Sequence, residues 1–302
     1  MESHQIRYCQ LNEVDKLQDF LDQYWKKGHI LATNKTLLDF QHKNEKEGRY
    51  NFVVAYNNST QLFDIILGFI PYNHYDPEWD TKKIWLAIWK KNDQPLPRGM
   101  GKKLLEFVEN NIQPSTIGGI GINDTIEQLY LKRGWQTGKM EQWYFLNPGR
   151  LISYEERTAA EKDYFFNPHH KSAAYYLNRY NRHPFYQYET FQGVVYRKIE
   201  TELGNCLRII DFKKHFYLND YYLRELAQET KVDYIDCFIH GMSAEILQQM
   251  GFTKKPEQMR IPQWFEPLNL GGKNIKYTYS GKDTFFGVKG DADQDRPSVV
   301  ST

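Results

Sequence analysis

The chain has 302 residues and a mass of 36.0 kDa, a length that suits two domains of about 150 residues each. Its 39 basic and 38 acidic residues leave a net charge of +1, which excludes the basic excess that holds a nucleic-acid backbone. At 40% hydrophobic and 25% charged residues the composition is globular, neither disordered nor collagenous.

From the N-terminus, Leu11, Val14, Leu17, Phe20, Leu21 and Tyr24 recur at helical spacing and predict a helix from Leu11 to Trp25 with Asn12 as its cap. Tyr50 to Tyr56, the polar turn 57–60 and Ile65 to Ile70 read as a β-hairpin. Ile84 to Trp89 is a short apolar run suited to a central strand. A turn with two prolines leads into Arg98-Gly99-Met100-Gly101-Lys102 and then a helix from Lys102 to Asn111. Ile117 to Ile122 reads as a strand, and Asn123 opens a further helix closed by Gly134. The breaker cluster Asn147-Pro148-Gly149 marks the expected domain boundary, giving units 1–148 and 149–302. The second half repeats the order: strands over Phe191–Glu200 and Gly204–Phe212, a helix over Tyr221–Glu229, a strand over Tyr234–Ile239 and a helix over Ser243–Met250. The strand–helix–strand–helix–Gly-aromatic passage of each half matches at an offset of about 120 residues, so the chain reads as a tandem repeat.

No run reaches the roughly 18 apolar residues that span a bilayer, and Met1 to Leu11 lacks the apolar core of a secretory signal. Cys9, Cys206 and Cys237 are odd in number and widely spaced, so neither a disulfide framework nor a metal site is expected, and the cytoplasm is the expected compartment. Neighbouring His169 and His170 point in different directions on most backbones and do not change that expectation.

The chemistry concentrates between Ile84 and Trp135. Glycines at a strand-to-helix turn let a ligand approach the backbone, and free amides at the helix start attract an anion. A dinucleotide fingerprint fails because Leu104 stands where its third glycine belongs. A Walker loop fails because the GK[ST] ending is missing. Alone, the GxG is equally a tight turn. The run Asn123-Asp124-Thr125-Ile126-Glu127-Gln128-Leu129-Tyr130-Leu131-Lys132-Arg133-Gly134-Trp135 adds context. Glycine loop and Asn…Tyr…Gly-aromatic helix together resemble the acetyl-CoA-binding signature of the GNAT superfamily of N-acyltransferases, over most of residues 1–148.

That resemblance implies an α/β (α+β) fold of two GNAT-like units, each a mixed, mostly antiparallel sheet flanked by helices. It implies that Gly99 and Gly101, with Arg98, Met100, Lys102 and Lys103, hold the pyrophosphate of acetyl-CoA or another acyl-CoA. Trp89 and Asn123 would line the pantetheine arm, and Tyr130 would protonate the departing thiolate. The family often has Gln or Arg three residues before the first glycine; here Leu96 stands there. A phenol near pKa 10 keeps its proton at neutral pH, above a thiol near 8.5, so the role is chemically sound. The alternative for Tyr130 is a ring packed in the core, and its spacing favours the functional role.

The loop Tyr72-Asn73-His74-Tyr75-Asp76-Pro77-Glu78-Trp79 supplies candidates for the acceptor side. His74 and Glu78 suit proton removal, while Tyr72 and Asp76 suit amine binding; a solvated polar turn is the plain alternative. In the second half Leu247 and His240 stand where Tyr130 and Asn123 stand in the first, and Asn219-Asp220 replaces the glycine pair. The second unit is thus expected to lack the cofactor chemistry and to help build an acceptor pocket. Tyr175, Tyr176, Tyr180, Phe185, Tyr186 and Tyr188 form an aromatic belt suited to packing or to a sugar.

The tail Lys289-Gly290-Asp291-Ala292-Asp293-Gln294-Asp295-Arg296-Pro297 opens with EF-hand spacing, but Arg296 and Thr302 occupy the positions that need Gly and Glu. It resembles the ending of GNAT-like proteins of bacterial surface-polysaccharide synthesis. That implies Asp291, Asp293 and Arg296 as contacts to an amino sugar or nucleotide-linked amino sugar; a solvated tail is the alternative. The expected activity is therefore N-acyl transfer from an acyl-CoA to such an amine, in a protein that leaves a homodimer open. Peptidoglycan aminoacyltransferases of the FemABX type also pair two GNAT-like units. They usually lack the glycine loop, and this chain lacks their helical arm. The third reading is a non-catalytic acyl-CoA-binding scaffold.

Overall fold

The computed structural model describes residues 3–150, 163–165, 171–259, 261 and 274–297, so His169 and His170 lie outside the described residues. In chain order the main strands are β1 His4–Gln10, β2 Arg49–Asn57, β3 Phe63–Pro71, β4 Lys83–Lys91, β5 Thr116–Ile122, β6 Gln136–Lys139, β7 Glu141–Leu146, β8 Glu189–Phe191, β9 Val194–Thr201, β10 Gly204–Phe212, β11 Tyr234–His240, β12 Thr253–Lys254, β13 Lys276–Tyr279 and β14 Gly287–Val288, with short strands also at Lys43–Asn44, Asp163–Phe165 and His215–Tyr217. The helices are α1 Val14–Phe20, α2 Ile30–Thr33, α3 Lys35–His42, α4 Met100–Ile112, α5 Asp124–Leu131, α6 Ala173–Tyr176, α7 Asp220–Thr230 and α8 Ala244–Gln249.

Two mixed sheets form, in the orders β1-β2-β3-β4-β5-β13-β6 and β8-β9-β10-β11-β7-β12. Each carries one parallel pair, β4 with β5 and β10 with β11, the crossover between them being α4 or α7. Residues alternate between two faces of the first sheet. Phe52, Val54 and Ile66 meet Leu17, Leu21, Leu37 and Leu38 of α1 and α3 and the turn between. Val53, Ala55 and Leu67 meet Leu104, Leu105 and Val108 of α4 on the other face. Burying such a side chain contributes about 1.5–3 kcal/mol, which docks α4 firmly and fixes where its N-terminus points.

Two expectations change. The first helical turn opens at Leu11, just before α1, with Gln10 rather than Asn12 as its cap: Glu13 reaches back to accept the Gln10 N–H at 3.0 Å, and Arg7 holds that carboxylate at 2.7 Å. The predicted boundary at residue 148 is also crossed in both directions. β7, from the first half, pairs along β11 of the second sheet, and β13, from the C-terminal part, inserts between β5 and β6 of the first. The repeat is there, but each sheet borrows a strand.

The tail does not lie in solvent. Asp291, Asp293, Asp295 and Arg296 are all buried. Lys171 donates to Asp291 at 2.8 Å and to Asp211 at 2.7 Å. Arg197 and the Tyr188 hydroxyl donate to Asp295, and Arg296 donates to Asp293 and to His29 Nε2. The aromatic belt packs the same junction: Tyr175, Tyr176 and Tyr180 are buried there, while Phe185 is exposed. No helix among the described residues is long and apolar enough to cross a membrane.

Candidate active site

β4 ends at Lys91, and the Asn92 side chain donates to Asp64 at 2.7 Å, which fixes the chain's exit. Pro97 then leads to Gly99, whose φ of +83° is left-handed and strained for any side chain. Met100 begins α4 with no side-chain cap and no acid in the first turn. Among the described residues no backbone bond takes up the Gly101 and Lys102 amides. Lys103 donates to the Gly99 carbonyl at 3.2 Å. Arg98, Lys102 and Lys103 are exposed around this open end, with Lys102 also paired to Glu106 at 2.8 Å. Gly101 has an ordinary φ, and a Cβ there would sit 3.6 Å from the Trp89 ring, a normal contact. The protein's own packing therefore does not require glycine at 101.

The parallel pairing of β4 and β5 runs from Lys83↔Thr116 to Leu86↔Gly119 and stops. Just beyond it Ala87 and Ile88 bulge opposite Gly68, between the pairs Phe69↔Leu86 and Leu67↔Trp89. The two strands then diverge, and the opening lies beside the start of α4.

On α5, Asn123 caps the helix by accepting the Ile126 N–H at 2.9 Å. Its carbonyl oxygen is thus used in the fold, leaving its NH₂ as the group free to meet a ligand. Tyr130 is buried, with its ring stacked on Trp135 at 4.7 Å and tilted against Trp89 at 6.3 Å. Among the described residues its hydroxyl makes no hydrogen bond. Burial pushes this phenol well above its usual range, so it carries its proton at neutral pH. One indole, Trp89, thus touches both the glycine turn and the tyrosine.

The loop after β3 has a different character from the one its sequence suggested. Tyr72 is buried and stacked on Trp85 of β4 at 4.6 Å. His74 Nε2 donates to the Phe40 carbonyl at 2.9 Å, and burial lowers its pKa to about 4, so it is a neutral tie and a weak base. Asp76 is buried and accepts from Ser172, the cap of α6, across the junction of the units. Glu78 is exposed on a turn. Asp291, Asp293 and Arg296 likewise have protein partners, as given above. Interior ion pairs at the junction, rather than an open acidic patch, account for the tail's charges.

The tail does supply one residue that the sequence reading passed over. Gln294 Nε2 donates to the Ile120 carbonyl at 2.8 Å, where β5 leaves β4, and its Oε1 is buried without a partner. Gly121, with φ +89°, accommodates it: a Cβ there would lie 2.9 Å from that amide nitrogen. The available signal was its position inside a run too charged to be inert. A pocket of about 480 Å³, lined in part by Asp19, Tyr24, Asp64 and Leu96, opens beside the chain leading into the glycine turn, on the α1 side.

The second unit repeats the frame and closes it. Pairing of β10 with β11 stops at Ile209↔Cys237, but β14 then pairs with β11 at Ile239↔Val288, and Gly290 N–H donates to the Ile210 carbonyl at 2.8 Å. Asn219 caps α7 from its side chain, and Asp220 sits in the first turn, repelling an anion. Leu247 stands fully buried in the place of Tyr130.

Comparison with solved structures fits this geometry. A GCN5-related N-acetyltransferase from Anabaena variabilis superposes with a TM-score of 0.50 at 12% identity, covering 91% of this chain and 72% of that one. A conserved protein of unknown function from Enterococcus faecalis superposes with a TM-score of 0.51 at 8% identity, covering 83% and 70%. The fold is that of a tandem GNAT protein. A GCN5-related N-acetyltransferase from Sphaerobacter thermophilus matches end to end, over 99% and 98% of the chains, with a TM-score of 0.41 at 8% identity. No family model matches the chain. No curated protein matches it either. Among the described residues of this tandem GNAT fold, only the first unit has both an open helix terminus and a tyrosine at the strand opening.

Proposed function

We propose that the protein is an acyl-CoA-dependent N-acyltransferase whose first unit binds the CoA thioester and whose acceptor is the amine of a small molecule, an amino sugar or nucleotide-linked amino sugar. The observation that carries this reading is Trp89, which spans the amides that begin α4 and the Tyr130 phenol. A pyrophosphate on the Gly101 and Lys102 amides would gain charge-assisted hydrogen bonds, with Arg98 and Lys103 adding positive field. The thioester would then lie along the opening between β4 and β5. The amine nitrogen attacks the thioester carbon to form the amide C–N bond, the C–S bond breaks, and the amine gives its proton to solvent. The thiolate takes the Tyr130 proton, and solvent restores it to the phenol. An amine near pKa 8 is already partly neutral at physiological pH, so no strong base is needed, which suits the weak basicity of His74.

The test is calorimetric titration of CoA into the wild type and Gly101→Asp, combined with thiol release from acetyl-CoA and a panel of amino sugars and their nucleotide-linked forms. Gly101→Asp should lose CoA binding; equal affinity in the two proteins would refute the cradle. Tight CoA binding without turnover of any amine would point to a binding module instead.

A further inference from the structure

Arg179 stands apart among the interior cations at the junction. Lys171, Arg197, Arg208 and Arg296 each meet a carboxylate within 3.0 Å. Arg179 is fully buried and meets none among the described residues. Its NH1 donates to the Tyr75 hydroxyl at 3.2 Å, its NH2 only reaches the Gly290 carbonyl at 3.5 Å, and its Nε has no partner. The guanidinium carbon lies 4.9 Å from the Tyr75 ring centroid, a cation–π contact that returns part of the desolvation of a buried charge but not all of it.

A second orphan donor lies four residues on. His183 Nδ1 accepts from the Phe185 and Tyr186 amides, at 3.2 and 2.9 Å. The hydrogen of the neutral ring therefore sits on Nε2, which is buried and unpartnered. Both groups flank one ring of the first unit. His183 packs on Phe40 edge to face at 5.1 Å, and the Arg179 guanidinium carbon is 6.0 Å from the same ring. Next to Phe40, Gln41 is fully buried, and neither its amide nitrogen nor its oxygen has a partner. Native interiors rarely leave such groups unpaired, because each then loses its water without gaining a partner.

We propose that the acceptor amine carries an oxyanion, carboxylate or phosphate, and that Arg179 and His183 bind that group between the two units. The inference rests on the acyltransfer reading and names its substrate class. An oxyanion would answer both orphan donors and neutralise the charge. The site also lies within a small molecule's reach of the strand opening. Gly290 touches Arg179, and Gln294 touches Ile120 at the opening. Four residues of extended chain span at most about 14 Å, and this stretch is folded into turns. With the oxyanion on Arg179, the Gln294 Oε1 is placed to accept an N–H of the amine.

The test compares three acceptors that share one amine: glucosamine, glucosamine 6-phosphate and glucosaminic acid, followed by thiol release from acetyl-CoA. One or both anionic acceptors should exceed glucosamine in kcat/KM by about tenfold or more, and whichever does so tells phosphate from carboxylate. Arg179→Gln should abolish that preference by raising the acceptor KM while leaving CoA affinity unchanged. Independently of turnover, inorganic phosphate and acetate are titrated against melting temperature at saturating CoA. At least one should stabilise the wild type more than Arg179→Gln and more than His183→Phe, which keeps the ring against Phe40. Removing an uncompensated cation should leave the melting temperature of Arg179→Gln equal or higher, whereas a purely structural arginine would lower it. Equal use of glucosamine, or equal anion response in the wild type and both variants, overturns the proposal. Failure of CoA to bind sinks the acyltransfer reading, while the anion titration, then run without CoA on the wild type and both variants, still decides the Arg179 site.

Discussion

A phenol held between two indoles can do one thing well: keep its proton at neutral pH until a newly formed anion beside it needs one. Tyr130 owes its place to the Trp135 stack rather than to a hydrogen bond, so its ring and its hydroxyl can be separated by mutation. Tyr130→Phe keeps the stack. Its melting temperature and CoA affinity should match the wild type, while kcat falls by about a hundredfold, the usual loss for a general acid. Steady-state thiol release with calorimetric CoA binding checks this, and unchanged kcat with chemistry rate-limiting removes Tyr130 from the mechanism. Histidines make a prediction of a different kind. Burial lowers His29 to about 2, with Arg296 adding to it, and lowers His42 and His183 to about 3, from 6.5. Between about pH 3 and 6.5 the unfolded chain therefore binds protons that the folded chain refuses. Their stabilising effect is complete above 6.5 and is lost as the pH falls, at about 1.4 kcal/mol per pH unit for each ring and about 4 kcal/mol for the three. The urea midpoint should drop steeply from pH 6.5 to 5; a flat profile would mean that these rings are solvated.

Comparing α4 with α7 separates a helix terminus kept open from one that is capped. The two share length class, position and an apolar face, but Asn219 and Asp220 occupy the α7 terminus, whereas Gly99 and Gly101 leave that of α4 clear. Gly101→Ala should thus fold at least as well as the wild type, because the methyl meets Trp89 at a normal distance and Ala gains up to about 1 kcal/mol in a helix. CoA affinity should nevertheless fall severalfold, as measured by calorimetry beside thermal melts. This contrast was legible in the sequence, because a glycine turn, a capping Asn and a 3.6-residue period are local signals. The partners of the tail were not. Asp295 finds Arg197 and Tyr188, and Asp291 finds Lys171, each about a hundred residues away, so a run with five charges in the eight residues 289–296 reads as solvated until the fold brings those cations to it. Asp295→Asn should therefore strand a buried guanidinium and cost about 3–5 kcal/mol in urea unfolding, while a loss below about 1 kcal/mol would return the tail to the surface.

The exchange of strands makes the two sheets one cooperative object. Without β13, β5 and β6 would each expose an unpaired edge in the first unit; without β7, β11 would do so in the second. Nothing in Lys276-Tyr-Thr-Tyr or in Glu141 to Leu146 announces which sheet will take the strand, since period-two patterning fixes a strand's faces and not its neighbours. The ties Arg296–His29, Ser172–Asp76 and Gln294–Ile120 cross the same junction. Neither unit should then unfold alone, although the cofactor reading places CoA in the first only. At a hundred times its dissociation constant, CoA should add about 2.7 kcal/mol to whatever unfolds with its site. Native-state hydrogen exchange reads this directly. Core amides of the second sheet, such as Leu207 and Ile209, should slow on CoA addition by the same factor, about a hundredfold, as Val53 and Leu67 of the first sheet. Slowing confined to the first sheet would show two independent domains, and the exchanged strands would then be decoration on a boundary that the chain respects after all.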